Sequence, residues 1–264
     1  MIQGFVDTHF HSFQMAEKGL DPTQEIELAI ENGMAFGIEV GVHPTELGQR
    51  LKLYNTTSHL LRSTGIAPSC AESYTGDDMA LLESQLVSRS NEHIVAVGEI
   101  GLDGYWNYGT PEGQQDLFRQ QLQLARKHSL PVIIHNRDSD RETVAALRSD
   151  LGKSGGVMHC FSTNRSSLEQ FLDLGTYISF AGNVTFAKTE ELRECARYVP
   201  NDRILVETDA PYLSPVPLRG KINRPSSILH TYELIAALRG IDVQSFADLV
   251  RKNATELFGI TDQE

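Results

Sequence analysis

Residues 5–11 read FVDTHFH, and two histidines, His9 and His11, stand two apart behind an aspartate. Apolar letters lead into them, as in a strand running toward its end. Residues two apart in a strand project to the same face, so His9 and His11 would lie side by side. Paired imidazoles are either a solvated strand end or the first half of a metal site, and a short histidine pattern alone does not decide between them. What the other strand ends deliver does.

The same kind of run recurs along the chain. Candidate strands are GFVDTH (4–9), AFGIEVG (35–41), GIAPS (65–69), IVAVGEI (94–100), LPVIIH (130–135), GGVMHCF (155–161), TYISFAG (176–182) and RILVETD (203–209). Several are continuous β-branched or aromatic runs, the pattern of parallel strands buried on both faces. Helical patterns lie between them. DPTQEIELAIENG (21–33) opens on Asp-Pro and closes on Asn-Gly, a start and a stop signal. GQQDLFRQQLQLARKHS (113–129) carries Phe118, Leu122 and Ala125 at helical spacing. RETVAALRSDLG (141–152), NRSSLEQFLDLG (164–175), SILHTYELIAALRG (227–240) and VQSFADLVRKNATELFG (243–259) behave likewise. Eight strands alternating with helices fit a (β/α)8 TIM barrel, an α/β fold, over residues 1–264 as one domain. A doubly wound open sheet is the alternative, but no GxGxxG follows the first strand.

The 264 residues suit a single barrel, and a hydrophobic share of 40% is enough for a sizeable core. No apolar run is long enough to span a bilayer, and the opening MIQGFVDTHFHSF lacks the pattern of a signal peptide. Cys70, Cys160 and Cys195 are sparse, odd in number and without a CxxC pair. That argues against a disulfide framework or a structural zinc module, and a reducing cytoplasm is the expected compartment. The formal net charge of -12 speaks against coating nucleic acid by bulk electrostatics. It leaves hydrolysis of nucleic acid open, because bound cations offset carboxylates locally.

The chemically useful residues fall at one level. His9 and His11 end the first strand, Glu99 sits near the end of the fourth, His135 ends the fifth, His159 lies near the end of the sixth, and Glu207 and Asp209 end the eighth. Barrel active sites form at that carboxyl face. Imidazoles mixed with carboxylates suit zinc or manganese, and the carboxylate-rich part suits magnesium. Seven donors exceed the needs of one four-coordinate ion, whereas two ions sharing a carboxylate would use them. Glu99, between the groups of the first and fifth strands, is the natural bridge.

FVDTHFH, VGEIGLD (97–103), LPVIIHNR (130–137), MHCFS (158–162) and LVETDAPYL (205–213), in this order, resemble the TatD family of metal-dependent hydrolases, within the amidohydrolase superfamily. PLRGKINRPSSI (217–228) and NATELFG (253–259) extend the resemblance over nearly the full chain. It implies a (β/α)8 barrel and a metal-dependent deoxyribonuclease, often a 3'–5' exonuclease on single-stranded DNA ends. It implies His9 and His11 as the first metal pair, Glu99 as the bridge, and His135 and His159 as ligands of a second ion. Asp209 would be the last ligand and would handle a proton from the attacking water. Glu207 would serve an additional metal site, and Arg137 would meet substrate phosphate, for which a guanidinium fork is suited.

The chain departs from the pattern in places. GVHP (41–44) follows the second strand rather than the third, so His43 is expected outside the site. Ala67 stands where the resemblance places a strand-three histidine, which weakens the nuclease inference more than the metal one. Ser12 and Phe13 replace a leucine-aspartate pair, and Ser139 an alanine. His59, His93, His128 and His230 read as solvated or structural. Asp7 is expected behind the ligands, and Asp103 either orients a ligand or shapes a loop. Cys160, next to His159, is expected to point away into packing. Tyr105, Trp106 and Tyr108 are either a base-stacking cluster or a packed lid, Tyr212 packs or touches substrate, and Asn223 and Arg224 are candidates for the mouth. Besides the nuclease, two functions remain: hydrolysis of a small amide, ester or lactone (with a D-aminoacyl-tRNA deacylase as a variant), and a non-catalytic binding barrel. A monomer or weak oligomer without membrane attachment is expected.

Overall fold

The structure is a computed structural model, and it describes residues 2–53 and 59–260. Its elements in chain order are β1 (Phe5–Phe10), α1 (Ser12–Glu17), α2 (Pro22–Glu31), β2 (Met34–Glu39), α3 (Leu47–Leu53), β3 (Leu60–Thr64) and α4 (Gly76–Val87). There follow β4 (Ile94–Asp103), α5 (Pro111–His128), β5 (Val132–Arg137), α6 (Asp140–Asp150), β6 (Gly156–Met158) and α7 (Arg165–Asp173). The chain continues through β7 (Tyr177–Phe180), α8 (Glu190–Tyr198), β8 (Ile204–Val206), α9 (Ile228–Arg239) and α10 (Val243–Phe258). The strands are parallel and lie in sequence order, β1 through β8. The chain beyond β8 returns to β1: Asp209 N–H donates to the His9 carbonyl (2.9 Å) and His11 N–H to the Ala210 carbonyl (2.8 Å). The result is a (β/α)8 TIM barrel.

The helices arise from local signals. Asp21 accepts from Thr23 N (3.0 Å) and Gln24 N (3.3 Å) at the start of α2, with Pro22 in the first turn. Thr110 and Pro111 open α5, and its Phe118, Leu122 and Ala125 are buried. α10 starts on Asp242 and stops at Gly259, which holds the left-handed conformation that glycine tolerates best. Helices α1, α3, α4 and α8 lie outside the helical patterns that the sequence shows. Among the described residues no helix is long and apolar enough to cross a membrane.

The third strand lies five residues before its expected place. GIAPS (65–69) is loop and the start of a 3-10 turn, while Leu60–Thr64 pairs with β2 and β4. Pro68 lacks the N–H that a ladder needs and fits the first position of a turn. The strand itself is disguised by polar letters: Arg62, Ser63 and Thr64 are buried, and Ser63 Oγ donates to the Gly98 carbonyl at 2.7 Å. The strands β6, β7 and β8 are also shorter than expected, so His159, Glu207 and Asp209 lie one to three residues beyond them.

Candidate metal centre and its cavity

A cavity of about 770 Å³ opens at the carboxyl ends of the strands. His11, Glu99, His135, His159 and Asp209 line it, and His9 and Glu207 are buried beside them. β4 and β5 come together closely where Glu99 and His135 meet. Gly101 makes this approach feasible: its φ is +147°, and a Cβ there would fall 2.0 Å from the His135 carbonyl oxygen.

The Glu99 carboxylate faces two ways. Oε2 lies 3.7 Å from His9 Nε2 and 3.5 Å from His11 Nε2. Oε1 lies 2.8 Å from His135 Nδ1 and 3.3 Å from His159 Nε2. Asp209 Oδ1 completes the first side, 3.8 Å from His9 Nε2 and 3.4 Å from His11 Nε2. His9 with His11 and Asp209, and Glu99 with His135 and His159, each bring three donor atoms within 4.8 Å of one another, close enough to hold a metal ion. A third such group joins His9, His159 and Glu207.

The outer nitrogens decide what the inner ones can do. His11 Nδ1 donates to the Val40 carbonyl (3.0 Å), His135 Nε2 to Asp103 Oδ2 (2.9 Å) and His159 Nδ1 to Glu207 Oε1 (3.2 Å). Each of these bonds fixes a tautomer whose remaining nitrogen turns a lone pair inward. Those lone pairs meet one another and the carboxylate oxygens: His9 Nε2 and His11 Nε2 are 3.0 Å apart, and His135 Nδ1 and His159 Nε2 are 3.2 Å apart. Among the described residues no lysine or arginine stands with them. Such a convergence is favourable only when a cation shares it, and imidazole with carboxylate suits a borderline divalent metal. Without one, protons take its place. Burial opposes charge on His159, but the Glu99 and Glu207 carboxylates outweigh it and hold the ring well above its ordinary value. His11 and His135 are raised in the same way, against burial, by Asp209 and Glu99 and by Asp103 and Glu99 respectively. His9 is pushed down to about 3, first by burial and then by His159. Burial acts to raise Glu99, yet the surrounding imidazoles keep it well below the usual carboxylate range. His9 Nδ1 and Glu207 Oε2 are buried without a hydrogen-bond partner.

The structure thus brings together His9, His11, Glu99, His135, His159, Glu207 and Asp209. Arg137, two residues past His135, stays outside the cluster but lines the cavity, its guanidinium 3.9 Å from the Tyr105 ring centroid. It is the one lysine or arginine in the lining among the described residues. Asp7 sits behind the site, accepting from Thr208 N (2.9 Å) and Thr208 Oγ1 (2.6 Å). Asp103 orients His135. Ala67 lines the cavity, while His43 lies outside the lining, 3.7 Å from Asp78. His59, His93, His128 and His230 are also outside it.

Two expectations are corrected. Cys160 lines the cavity instead of packing away, because β6 has ended at Met158 and residue 160 turns with φ +44°. Asn223 and Arg224 do not line the mouth. Asn223 is buried and donates to the Thr208 carbonyl (2.9 Å), and Arg224 pairs with Glu25 at 2.6 Å.

A family model described as "TatD related DNase" matches residues 6–259. The chain belongs to the TatD family. Its relatives include YcfH of Escherichia coli K12, described as a metal-dependent hydrolase, 38% identical over 262 residues, covering 97% of this chain and 96% of that one. The Salmonella typhimurium protein named 3'-5' ssDNA/RNA exonuclease TatD is 32% identical over 247 residues, covering 91% of this chain and 94% of its own. Among solved structures, the TatD homologue YjjV of Escherichia coli superposes with a TM-score of 0.88 at 29% identity, over 99% of this chain and all of that one (100%). This TatD-family protein is therefore a metal-dependent hydrolase, and its donor set fits the metal that the family implies.

Proposed function

We propose that this TatD-family hydrolase is a 3'–5' exonuclease on single-stranded DNA, with residues 1–264 acting as one catalytic domain. The observation that carries the reading is the two-sided Glu99 carboxylate between His9, His11 and Asp209 on one side and His135 and His159 on the other. Two zinc, manganese or magnesium ions would be held there, with Glu99 bridging them and Glu207 serving a further position. Such ions lower the pKa of water toward neutrality and offset charge on attacking and leaving oxygens. The chain's own groups do the rest. Asp209, buried with its Oδ1 3.4 Å from His11 Nε2, would accept the proton of the attacking water. Arg137 offers its fork to the phosphate, held in place by stacking on Tyr105.

Purified protein supplied with manganese or magnesium is expected to release nucleotides from single-stranded DNA, and His135→Ala is expected to abolish release. Absence of release from a fully metallated protein refutes the reading, and full activity in His135→Ala refutes the site. A second reading, hydrolysis of a small amide, ester or lactone, is favoured by one feature. Among the described residues the lining holds a single permanent cation, Arg137, and Ala67 stands where the resemblance places a further phosphate partner. Carbonyl hydrolysis without nucleotide release would select it.

A further inference from the structure

Trp106 is the chain's one tryptophan, and it stands 52% exposed at the rim of the cavity. Tyr105 beside it is 57% exposed. Adjacent large aromatics left in water at the mouth of a site mark a recognition surface. The turn that carries them is held firmly. Asp103 Oδ1 accepts from Tyr105 N (2.9 Å) and Trp106 N (2.8 Å). The other oxygen of the same carboxylate accepts from His135 Nε2. One side chain therefore sets both the aromatic turn and the histidine of the candidate metal centre. Gln114 Nε2 braces the turn further, donating to the carbonyls of Asp103 (3.1 Å) and Tyr108 (3.4 Å).

The two rings have different surroundings. Tyr105 meets the Arg137 guanidinium across its face at 3.9 Å. Trp106 meets Tyr105 edge-on, with centroids 4.9 Å apart and planes at 88°. The Arg137 guanidinium is 5.7 Å from the Trp106 ring centroid. The indole, 52% exposed, thus stays open to solvent beside a cation held on Tyr105, at the rim of a cavity lined by the donor cluster. A planar aromatic group joined to a phosphate matches that pairing.

We propose that Trp106 is a stacking platform for the nucleobase next to the phosphate that Arg137 meets. This rests on the nucleic-acid reading above and adds to it that the base, besides the backbone, is recognised. Stacking is tolerant of sequence, because every base has a π-face. The platform therefore selects for the presence of a base and not for its identity.

With a single tryptophan, the protein's indole emission reports on this one position. Manganese-loaded protein is titrated with thymidine strands whose last linkages are phosphorothioate, either natural or abasic at the last two positions. Natural strands should quench the emission and abasic ones should not. Trp106→Ala should bind natural strands roughly 5- to 150-fold more weakly while binding abasic strands nearly as before, and Trp106→Phe should restore most of the difference. Saturating natural strand without quenching overturns the platform, as does a Trp106→Ala variant that loses natural and abasic binding alike. The wild-type fluorescence needs no variant, so it decides even if Trp106→Ala folds poorly. Quenching and base preference without nucleotide release uphold the platform and refute the nuclease, whereas release without base preference does the reverse.

Discussion

Glu39 and Glu99 are both buried carboxylates on strands of the same sheet, and their neighbours differ in kind. Glu39 ends β2 and is met by Arg50 from α3. Arg50 Nε donates to Oε1 (2.7 Å) and Oε2 (2.8 Å), its Nη2 to Oε2 (2.5 Å), and Ser12 Oγ to Oε1 (2.5 Å). Burial acts to raise Glu39, but Arg50 outweighs it and holds the carboxyl below its ordinary value. Every contact of that carboxylate is a donor, so the charge is balanced within the chain. Glu99 has four imidazoles around it and, among the described residues, no guanidinium within ion-pair distance. One site is electrostatically complete as folded. The other would be completed by cations from outside, as the proposed metal centre requires, and in that it differs from a structural ion pair.

The sharpest break of this comparison exchanges the two consequences. Glu99→Gln should abolish hydrolysis, a loss well beyond the roughly 10–100-fold of changes behind a metal ligand. Its metal content by elemental analysis should fall, with urea unfolding confirming that the variant is folded. Glu39→Gln should do the opposite. Breaking one partner of a buried pair costs about 3–5 kcal/mol, read as a lowered urea midpoint, with metal content per folded chain unchanged. If Glu39→Gln lost metal at unchanged stability, Glu39 and Glu99 would not differ in this way.

Acid titration sharpens the same contrast. The Glu39 pKa is lower in the folded chain than in the unfolded one, so its stabilisation is present above the ordinary carboxyl value of 4.5. It is lost as pH falls through the folded value, where the unfolded chain binds the extra proton first. Urea midpoints measured between roughly pH 6 and 3 should therefore fall more steeply for the wild type than for Glu39→Gln. Parallel profiles would remove Glu39 as a source of acid lability.

Asp103→Asn comes next in size. It would keep the hydrogen bonds from the Tyr105 and Trp106 amides through its carbonyl oxygen, yet weaken the hold on His135. A change behind a metal ligand lowers affinity or activity about 10–100-fold. Metal titration should show that drop with unfolding unaltered.

The seven clustered residues were legible because each lies at or just past the end of an apolar run, and a parallel barrel brings such ends to one face. What the sequence hid was of two kinds. Leu60–Thr64 reads as polar because its inward side chains are satisfied by partners distant in sequence, such as the Gly98 carbonyl. Cys160 was misplaced because strand alternation was carried past the end of β6 into a turn. The pairing of Glu39 with Arg50, and the Val40 carbonyl that fixes His11, connect separate elements and leave no local pattern.

His43 gives the smallest expected effect, and it tests how far resemblance can be carried by motif alone. GVHP has the letters of a site motif, but it follows β2, and the cavity wall near β3 is supplied by Ala67, Pro68 and Ser69. His43 Nδ1 instead accepts from Thr45 N (3.4 Å) and contacts Thr45 Oγ1 (2.8 Å), starting the 3-10 turn Pro44–Glu46. Its loss removes a cap on a short turn, worth about 1 kcal/mol or less. His43→Ala should therefore lower the urea midpoint slightly and leave metal content and hydrolysis at wild-type levels. A tenfold fall in hydrolysis at intact stability would mean that the loop after β2 swings His43 into the cavity, where it would supply the imidazole that Ala67 lacks.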